Sequence, residues 1–254
     1  MEALRVEGVS RHFGGVHAVQ NISFQVIAGE HLAIIGPNGA GKTTLFNLLG
    51  GQLSPTAGHV YFYGQDITHV PAHQRAHLGI ARSFQVTALF PNLTVLENTL
   101  LAAQGNQPSR FQMFRSNKAY QDFFIKAQNF LAPMGLWEKK DEPVQAISYG
   151  EQRKLEMALS LVSEPKLLLL DEPSTGLTAA ESADITSRLR NLARGITVIL
   201  VAHEMDLVFG VAERIIVLHH GEIITEGTCQ QISTNPKVKE IYMGDEGTKA
   251  ECSS

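Results

Sequence analysis

The stretch His31-Leu32-Ala33-Ile34-Ile35-Gly36-Pro37-Asn38-Gly39-Ala40-Gly41-Lys42-Thr43-Thr44 decides the fold. Its first five residues are a largely apolar run and read as a buried strand. The next eight match G-x-x-x-x-G-K-[ST], a loop that needs a strand before it and a helix after it. A helix is expected from near Gly41 to about Leu49. In such a loop, glycines let backbone N–H groups turn toward an anion, and the helix N-terminus adds its dipole. Gly36, Pro37, Asn38, Gly39, Ala40 and Gly41 are therefore the expected phosphate cradle. Lys42 should reach the β- and γ-phosphates, Thr43 should ligate Mg²⁺, and Thr44 should lie nearer the α-phosphate. The competing reading, a glycine-rich turn before a helix, does not need the strand that stands here.

A second segment complements the first. Leu167-Leu168-Leu169-Leu170-Asp171-Glu172 reads as a buried strand ending in two acids. The C-terminal edge of such a sheet is where α/β folds bind ligands. Asp171 would hold Mg²⁺ through water, and Glu172 could orient or deprotonate an attacking water. Alone, the pair could simply end a strand before Pro173; beside the lysine loop it reads as a second half of the same site.

Between them lies Ser148-Tyr149-Gly150-Glu151-Gln152. Serine followed three residues later by glutamate is a capping box, and the apolar helix that follows fits one. Gly150 in the first turn weakens a helix and calls for another reason. Bare backbone there would let a phosphate approach the N-terminal amides.

The surroundings organise these segments. Residues 3–35 read as β, with a turn at Ala28-Gly29-Glu30; 56–64 and 79–85 read as short strands, and Pro71 fits the first turn of a short helix. From 88 to about 160 strand signals stop, and Thr94–Ala103 and Ala119–Leu131 carry helical spacing. A polar, loop-like stretch from Gly105 to Ser116 has Phe111, Met113 and Phe114 as apolar exceptions, which either pack internally or form a docking lip. Alternation then resumes: helix 149–162, strand 166–171, helix 179–193, strand 196–201, helix 205–211, strand 214–218 and a hairpin at Gly221. His219 and His220 read as the hairpin end. The expected architecture is α/β: one domain over 1–254, with a largely parallel sheet and antiparallel β-subdomain in 1–87 and 161–243. A helical subdomain is inserted at about 88–160, and 244–254 form a flexible tail.

Composition narrows the function. The chain has 254 residues with 44% hydrophobic and 18% charged side chains, enough to bury a large core. A formal net charge of -4 argues against a nucleic-acid binder, which usually presents a basic surface. Cys229 and Cys252 do not make a disulfide framework, so a reducing compartment is the default. No apolar run approaches the ~20 residues of a membrane span. If the chain works at a membrane, a partner supplies the span.

Taken together these segments resemble the ATP-binding cassette (ABC) proteins. Ile147-Ser148-Tyr149-Gly150-Glu151, with Gln152 next, is similar to their signature, usually Leu-Ser-Gly-Gly-Gln; Ser148 and Gly150, the family's phosphate contacts, are kept, while Tyr149 and Glu151 depart. The resemblance covers nearly the whole chain. It implies that Gln85 senses Mg²⁺ and the membrane partner, that His203 contacts the γ-phosphate, and that Phe13 stacks on adenine. It also makes Ser174-Thr175-Gly176-Leu177 the D-loop, with Thr178 where the family usually has aspartate.

The resemblance extends to a branch. Ser10-Arg11-His12-Phe13-Gly14-Gly15-Val16-His17-Ala18-Val19, Ala81-Arg82-Ser83-Phe84-Gln85, Leu89-Phe90-Pro91-Asn92-Leu93-Thr94-Val95-Leu96-Glu97-Asn98 and the tail Val238–Gly244 look like ATPases for branched-chain amino acid uptake. Urea-uptake and lipopolysaccharide-export ATPases share parts of this pattern. The family implies a head-to-tail dimer with a second ATPase subunit, each ATP lying between one lysine loop and the opposite Ser148 segment. It further implies transmembrane permease subunits, indirectly a solute-binding protein, and a peripheral place on the cytoplasmic face of the membrane. A rival from another class is a soluble ABC ATPase acting on nucleic acid or the ribosome; one cassette and an acidic balance speak against it.

Overall fold

The computed structural model describes residues 1–83, 89–105, 117–192 and 195–243. Two sheets meet around the glycine loop. The first is antiparallel, in the order β2 (Val16–Ile27), β1 (Glu2–Phe13), β4 (Ala57–Phe62) and β5 (Gln65–Asp66). The second has six strands in the order β10 (Glu222–Gly227), β9 (Arg214–His219), β3 (His31–Ile35), β8 (Thr197–Val201), β7 (Leu167–Asp171) and β6 (Ile80–Arg82). Only the β10–β9 pair of the second sheet is antiparallel; the other pairs are parallel.

The apolar strands are continuous because both faces of this sheet are covered. Successive side chains alternate between two cores. Leu32, Ile34, Leu167, Leu169, Ile199, Val201, Ile216 and Leu218 join one cluster with Leu45, Phe46, Leu48 and Leu49 of α1 (Lys42–Gly50) and with the antiparallel sheet. Ala33, Ile35, Leu168, Leu170, Val198, Leu200, Ile215 and Val217 face the other way. There they meet α5 (Tyr149–Val162), α6 (Ala179–Arg190) and α7 (Met205–Val211). The inserted helices α3 (Val95–Gly105) and α4 (Asn117–Leu131) pack on α5 through a third small core of Leu100, Ala103, Phe123, Ala127 and Val162.

Several expected boundaries shift by a residue or two. Pro71 is the extended N-cap of α2 (Ala72–Leu78) rather than part of its first turn. The strand expected at 79–85 is seen as β6; residues 84–88, including Gln85, lie outside the described residues, as do Phe111, Met113, Phe114 and the tail from 244. Two helices, α8 (Cys229–Thr234) and α9 (Pro236–Met243), close the chain where no helix was expected. The first is set by a capping box, Thr228 with Gln231. No helix among the described residues is long and apolar enough to cross a membrane.

One buried cation holds the far end of α1. Arg75 of α2 is 1% exposed, and its guanidinium donates to the carbonyls of Leu48, Leu49, Ile67, Thr68 and Val70 at 2.6–3.2 Å. It satisfies carbonyls that a helix C-terminus leaves without partners, and its charge suits that end of the dipole. Replacing Arg75 by Met removes every one of these donors at once. We expect a loss of about 3 kcal/mol, read as a lower midpoint in urea denaturation, because buried carbonyls are then unsatisfied.

Candidate nucleotide site

The glycine loop leaves β3 between two other backbones. A Cβ on Gly36 would stand 2.2 Å from the carbonyl oxygen of Leu218 at the end of β9. A Cβ on Gly41, whose φ is +98°, would stand 2.3 Å from the carbonyl oxygen of Ala18 in β2. Both positions thus require glycine on contact alone. Gly221 N–H donates to the Ala40 carbonyl at 3.0 Å, and Gln20 N–H donates to the Gly221 carbonyl at 2.8 Å. The loop is pinned to β2 and to the β9–β10 turn. Gly41 is the N-cap of α1 and offers no side-chain acceptor, and the first turn has no acid. The first-turn amides therefore face the cleft without a carboxylate competing for them.

That cleft has a volume of about 610 Å³ and is lined by Asn38, Gly39, Ala40, Gly41, Lys42, Thr43, Thr44, Glu172 and His203, with Val16, His17, Ala18, Gln20 and His220. Lys42 is buried, and its ammonium donates to the carbonyls of Gly36 and Pro37 at 2.6 and 2.9 Å. Burial lowers its pKa from the ordinary lysine value, against the opposing pull of Glu172 and Asp171.

The acidic strand end splits into two environments. Asp171 is 2% exposed and pairs with the guanidinium of Arg82 in β6 at 3.1 Å. Burial raises the Asp171 pKa, and the charges of Arg82 and Lys42 oppose it. Arg82 also donates to Asn47 of α1 at 2.7 Å and Gln52 at 3.0 Å, so one guanidinium ties β6, β7 and α1 together. Glu172 instead enters the cleft. Its φ is +48°, a left-handed conformation that costs a non-glycine residue about 1 kcal/mol. Its carboxylate is held on both oxygens: Oε1 lies 2.7 Å from His203 Nε2, and Oε2 accepts from the Thr175 hydroxyl at 3.2 Å. A strained acid clamped from two sides is preset in direction.

Other expected residues are placed elsewhere. Phe13 ends β1, 46% exposed, beneath the Arg11 guanidinium at 4.7 Å; the cleft wall on this side is Val16, His17 and Ala18. Ser148 and Gly150 are absent from the described residues lining the cleft. The capping box is formed: the Ser148 hydroxyl accepts from Glu151 N–H at 3.3 Å, and the Glu151 carboxylate accepts from Ser148 N–H at 2.9 Å. Gly150 also has a local reason, since a Cβ would stand 2.1 Å from the Glu181 carboxylate. Sequence reasoning gave no site role to His17, Gln20 or His220, and had Thr175 only as part of the D-loop that the resemblance implies. His220 was read as a hairpin end, which it is, but the turn brings it to the cleft. Oxygen donors in the lining include the Thr43 hydroxyl and the Glu172 carboxylate; Asp171, expected to hold Mg²⁺, is not part of the lining and is buried against Arg82 beside it. An all-oxygen set beside phosphates fits Mg²⁺.

Comparison with known proteins gives the family. The ABC transporter family model matches residues 19–175. The high-affinity branched-chain amino acid transport ATP-binding protein LivG of Escherichia coli (strain K12) is 36% identical over 251 residues, covering 95% of this chain and 98% of LivG. Among solved structures, MJ1267, an ATP-binding cassette of an ABC transporter in its ADP conformation, superposes with a TM-score of 0.85 at 32% identity, over 96% of this chain and 100% of that one. The cassette MJ0796, in a dimeric post-hydrolysis state bound to ADP and Pi, superposes with a TM-score of 0.75 at 26% identity, over 89% of this chain and 98% of that one. The chain belongs to the ABC transporter family and is a nucleotide-binding ABC ATPase.

Two substitutions test the site's construction. Lys42→Ala should weaken ATP binding about a hundredfold with little change in thermal unfolding, since a charge-assisted contact to phosphate is lost. Equilibrium binding of a fluorescent ATP analogue reads this, and unchanged affinity would refute the assignment. Gly41→Ala should lower unfolding stability and ATP affinity together, because its methyl meets backbone that cannot swing aside.

Proposed function

We propose that this chain is the ATP-hydrolysing subunit of a membrane transporter that takes up branched-chain or other hydrophobic amino acids. The observation that carries the reading is the convergence of Lys42, Glu172 and His203 on one cleft at the head of α1. The amino-acid assignment rests on the near full-length similarity to LivG.

In this reading the first-turn amides of α1 and the Gly36–Gly41 loop cradle the phosphates, and Lys42 shifts from its carbonyl partners to the β- and γ-oxygens. Mg²⁺ would be held by Thr43 and Asp171, with Gln85, and would supply neutralisation of phosphate charge. Glu172, held by Thr175 and His203, orients and deprotonates the attacking water. His203 contacts the γ-phosphate. Phe13 reaches adenine from the end of β1. Ser148 and Gly150, lying outside their own chain's cleft, meet the nucleotide of a second ATPase subunit in a head-to-tail pair. The γ-phosphate then bridges two subunits, and its loss changes their affinity, which is how hydrolysis becomes motion. The 88–160 helical insertion and the Gln85 region receive the permease subunits on the cytoplasmic face of the membrane, with a solute-binding protein delivering the solute on the other side.

Glu172→Gln tests this directly. The variant should bind Mg-ATP, lose at least about a hundredfold in turnover, and accumulate as a pair. Capture of this trapped species from detergent-solubilised host membranes should recover polytopic permease subunits together with an amino-acid-binding protein. Recovery of urea or lipopolysaccharide components would reassign the cargo. Recovery of ribosomes without any membrane subunit would sink the transporter reading.

A further inference from the structure

The structure assigns Tyr149 a positioning role: its hydroxyl ties the first turn of α5 to Glu172 through Thr175, so that events at the Ser148 end reach the hydrolytic acid of the same chain. This inference rests on the proposed reading, in which Glu172 activates water and Ser148 faces a second copy's nucleotide.

The link can be followed atom by atom. Tyr149 opens α5, directly after the Ser148 N-cap. Its hydroxyl donates to the Thr175 carbonyl at 3.3 Å and accepts from Arg153 Nε at 3.0 Å. The Arg153 guanidinium also covers the Tyr149 ring at 5.3 Å and is anchored by Glu156 at 3.0 Å. The ring also lies against Gly176, where a Cβ would stand 3.0 Å from a ring carbon and φ is +80°. Thr175 then turns the connection toward the site: its N–H donates to the Glu172 carbonyl at 3.2 Å, and its hydroxyl donates to the Glu172 carboxylate at 3.2 Å. The other carboxylate oxygen is held by His203. Thr175 thus takes a hydrogen bond on its carbonyl from one site's helix and gives one from its hydroxyl to the other site's acid.

A glycine at position 149, as in the common signature, has no atom that could make this link. The Tyr149 side chain is nevertheless 45% exposed. Such a hydrogen bond adds little to folding, so its effect should appear in turnover rather than in unfolding. The geometry that matters is the direction of a carboxylate, to which catalysis is sensitive at the level of an ångström.

The test uses the full chain turning over Mg-ATP. Tyr149→Phe keeps the ring on Gly176 and removes only the hydroxyl. It should lower kcat about fivefold while the KM for ATP stays within about twofold and the melting temperature is unchanged. Thr175→Val should do the same, and Thr175→Ser should restore turnover. Because the two hydroxyls act in series, the double variant should be no slower than the slower single variant. Wild-type kcat in Tyr149→Phe, or losses that multiply in the double variant, overturns the inference. Glu172→Gln run alongside separates the two levels of failure. If Glu172→Gln is inactive while Tyr149→Phe turns over normally, the link alone falls. If Glu172→Gln still hydrolyses ATP, the parent reading falls and the link with it.

Discussion

The site depends on three backbones being in contact. Gly41 touches the Ala18 carbonyl, Gly36 touches the Leu218 carbonyl, and Gly221 lies against the same stretch of β2, 3.0 Å from Ala18 O for a Cβ. No side chain fits at these points, so the lysine loop is fixed by main chain on both flanks. This main-chain contact adds to the shared apolar cluster in joining the antiparallel sheet to the parallel one, since β2 belongs to the first and the β9–β10 turn to the second. The glycine loop therefore lies at the seam between the two sheets. A residue that opened the seam would loosen the sheets and the cradle together.

From this seam the rest of the machinery can be placed by strand order. β3 lies between β8 and β9, and β7 lies beyond β8. Parallel strands bring their C-terminal ends to one edge, so Gly36, His203 and Asp171–Glu172 arrive there from separate parts of the chain. Arg82 from β6 completes the row by binding Asp171 and reaching across to α1. The two acids, adjacent in sequence, then diverge. Asp171 remains in the strand, with its side chain buried against Arg82. Glu172 leaves it through a left-handed turn, and the following Pro173 disfavours the right-handed alternative.

Much of this was legible in the sequence, for a definable reason. Strands buried on both faces are written as runs such as Leu167–Leu170, and the glycine pattern marks a loop whose neighbours tolerate no Cβ. What sequence could not show depends on contacts across long separations. Arg75 looks like an ordinary cation on a short helix, and only the fold puts five carbonyls around it. Thr175 can be placed in the D-loop by resemblance, but its hydroxyl bond to Glu172 depends on the left-handed turn that brings the acid back toward it. α8 and α9 are short, and their apolar positions are too few to announce a period, so the local signals lay at their starts: Thr228 with Gln231 for α8, and Asn235 before Pro236 for α9.

The departures from the family signature have physical accounts that preserve local structure while changing what is connected. Thr178, where aspartate is usual, still caps α6: its hydroxyl accepts from Glu181 N–H at 3.3 Å, and the Glu181 carboxylate accepts from Thr178 N–H at 2.9 Å. Glu151, where the signature has glutamine, supplies the returning half of the α5 capping box and pairs with Lys139 at 2.7 Å. Burial alone would raise its pKa, but Lys139 and the Ser148 N–H hold the carboxyl below the ordinary value, so the cap stays charged. A fixed negative charge at a helix N-terminus competes with any phosphate brought to it. The first turn of α5 is thus electrostatically less open than that of α1, which has no acid. The two helix ends therefore differ in charge: α1 opens on the cleft with no acid in its first turn, and α5 opens under a charged, capped glutamate.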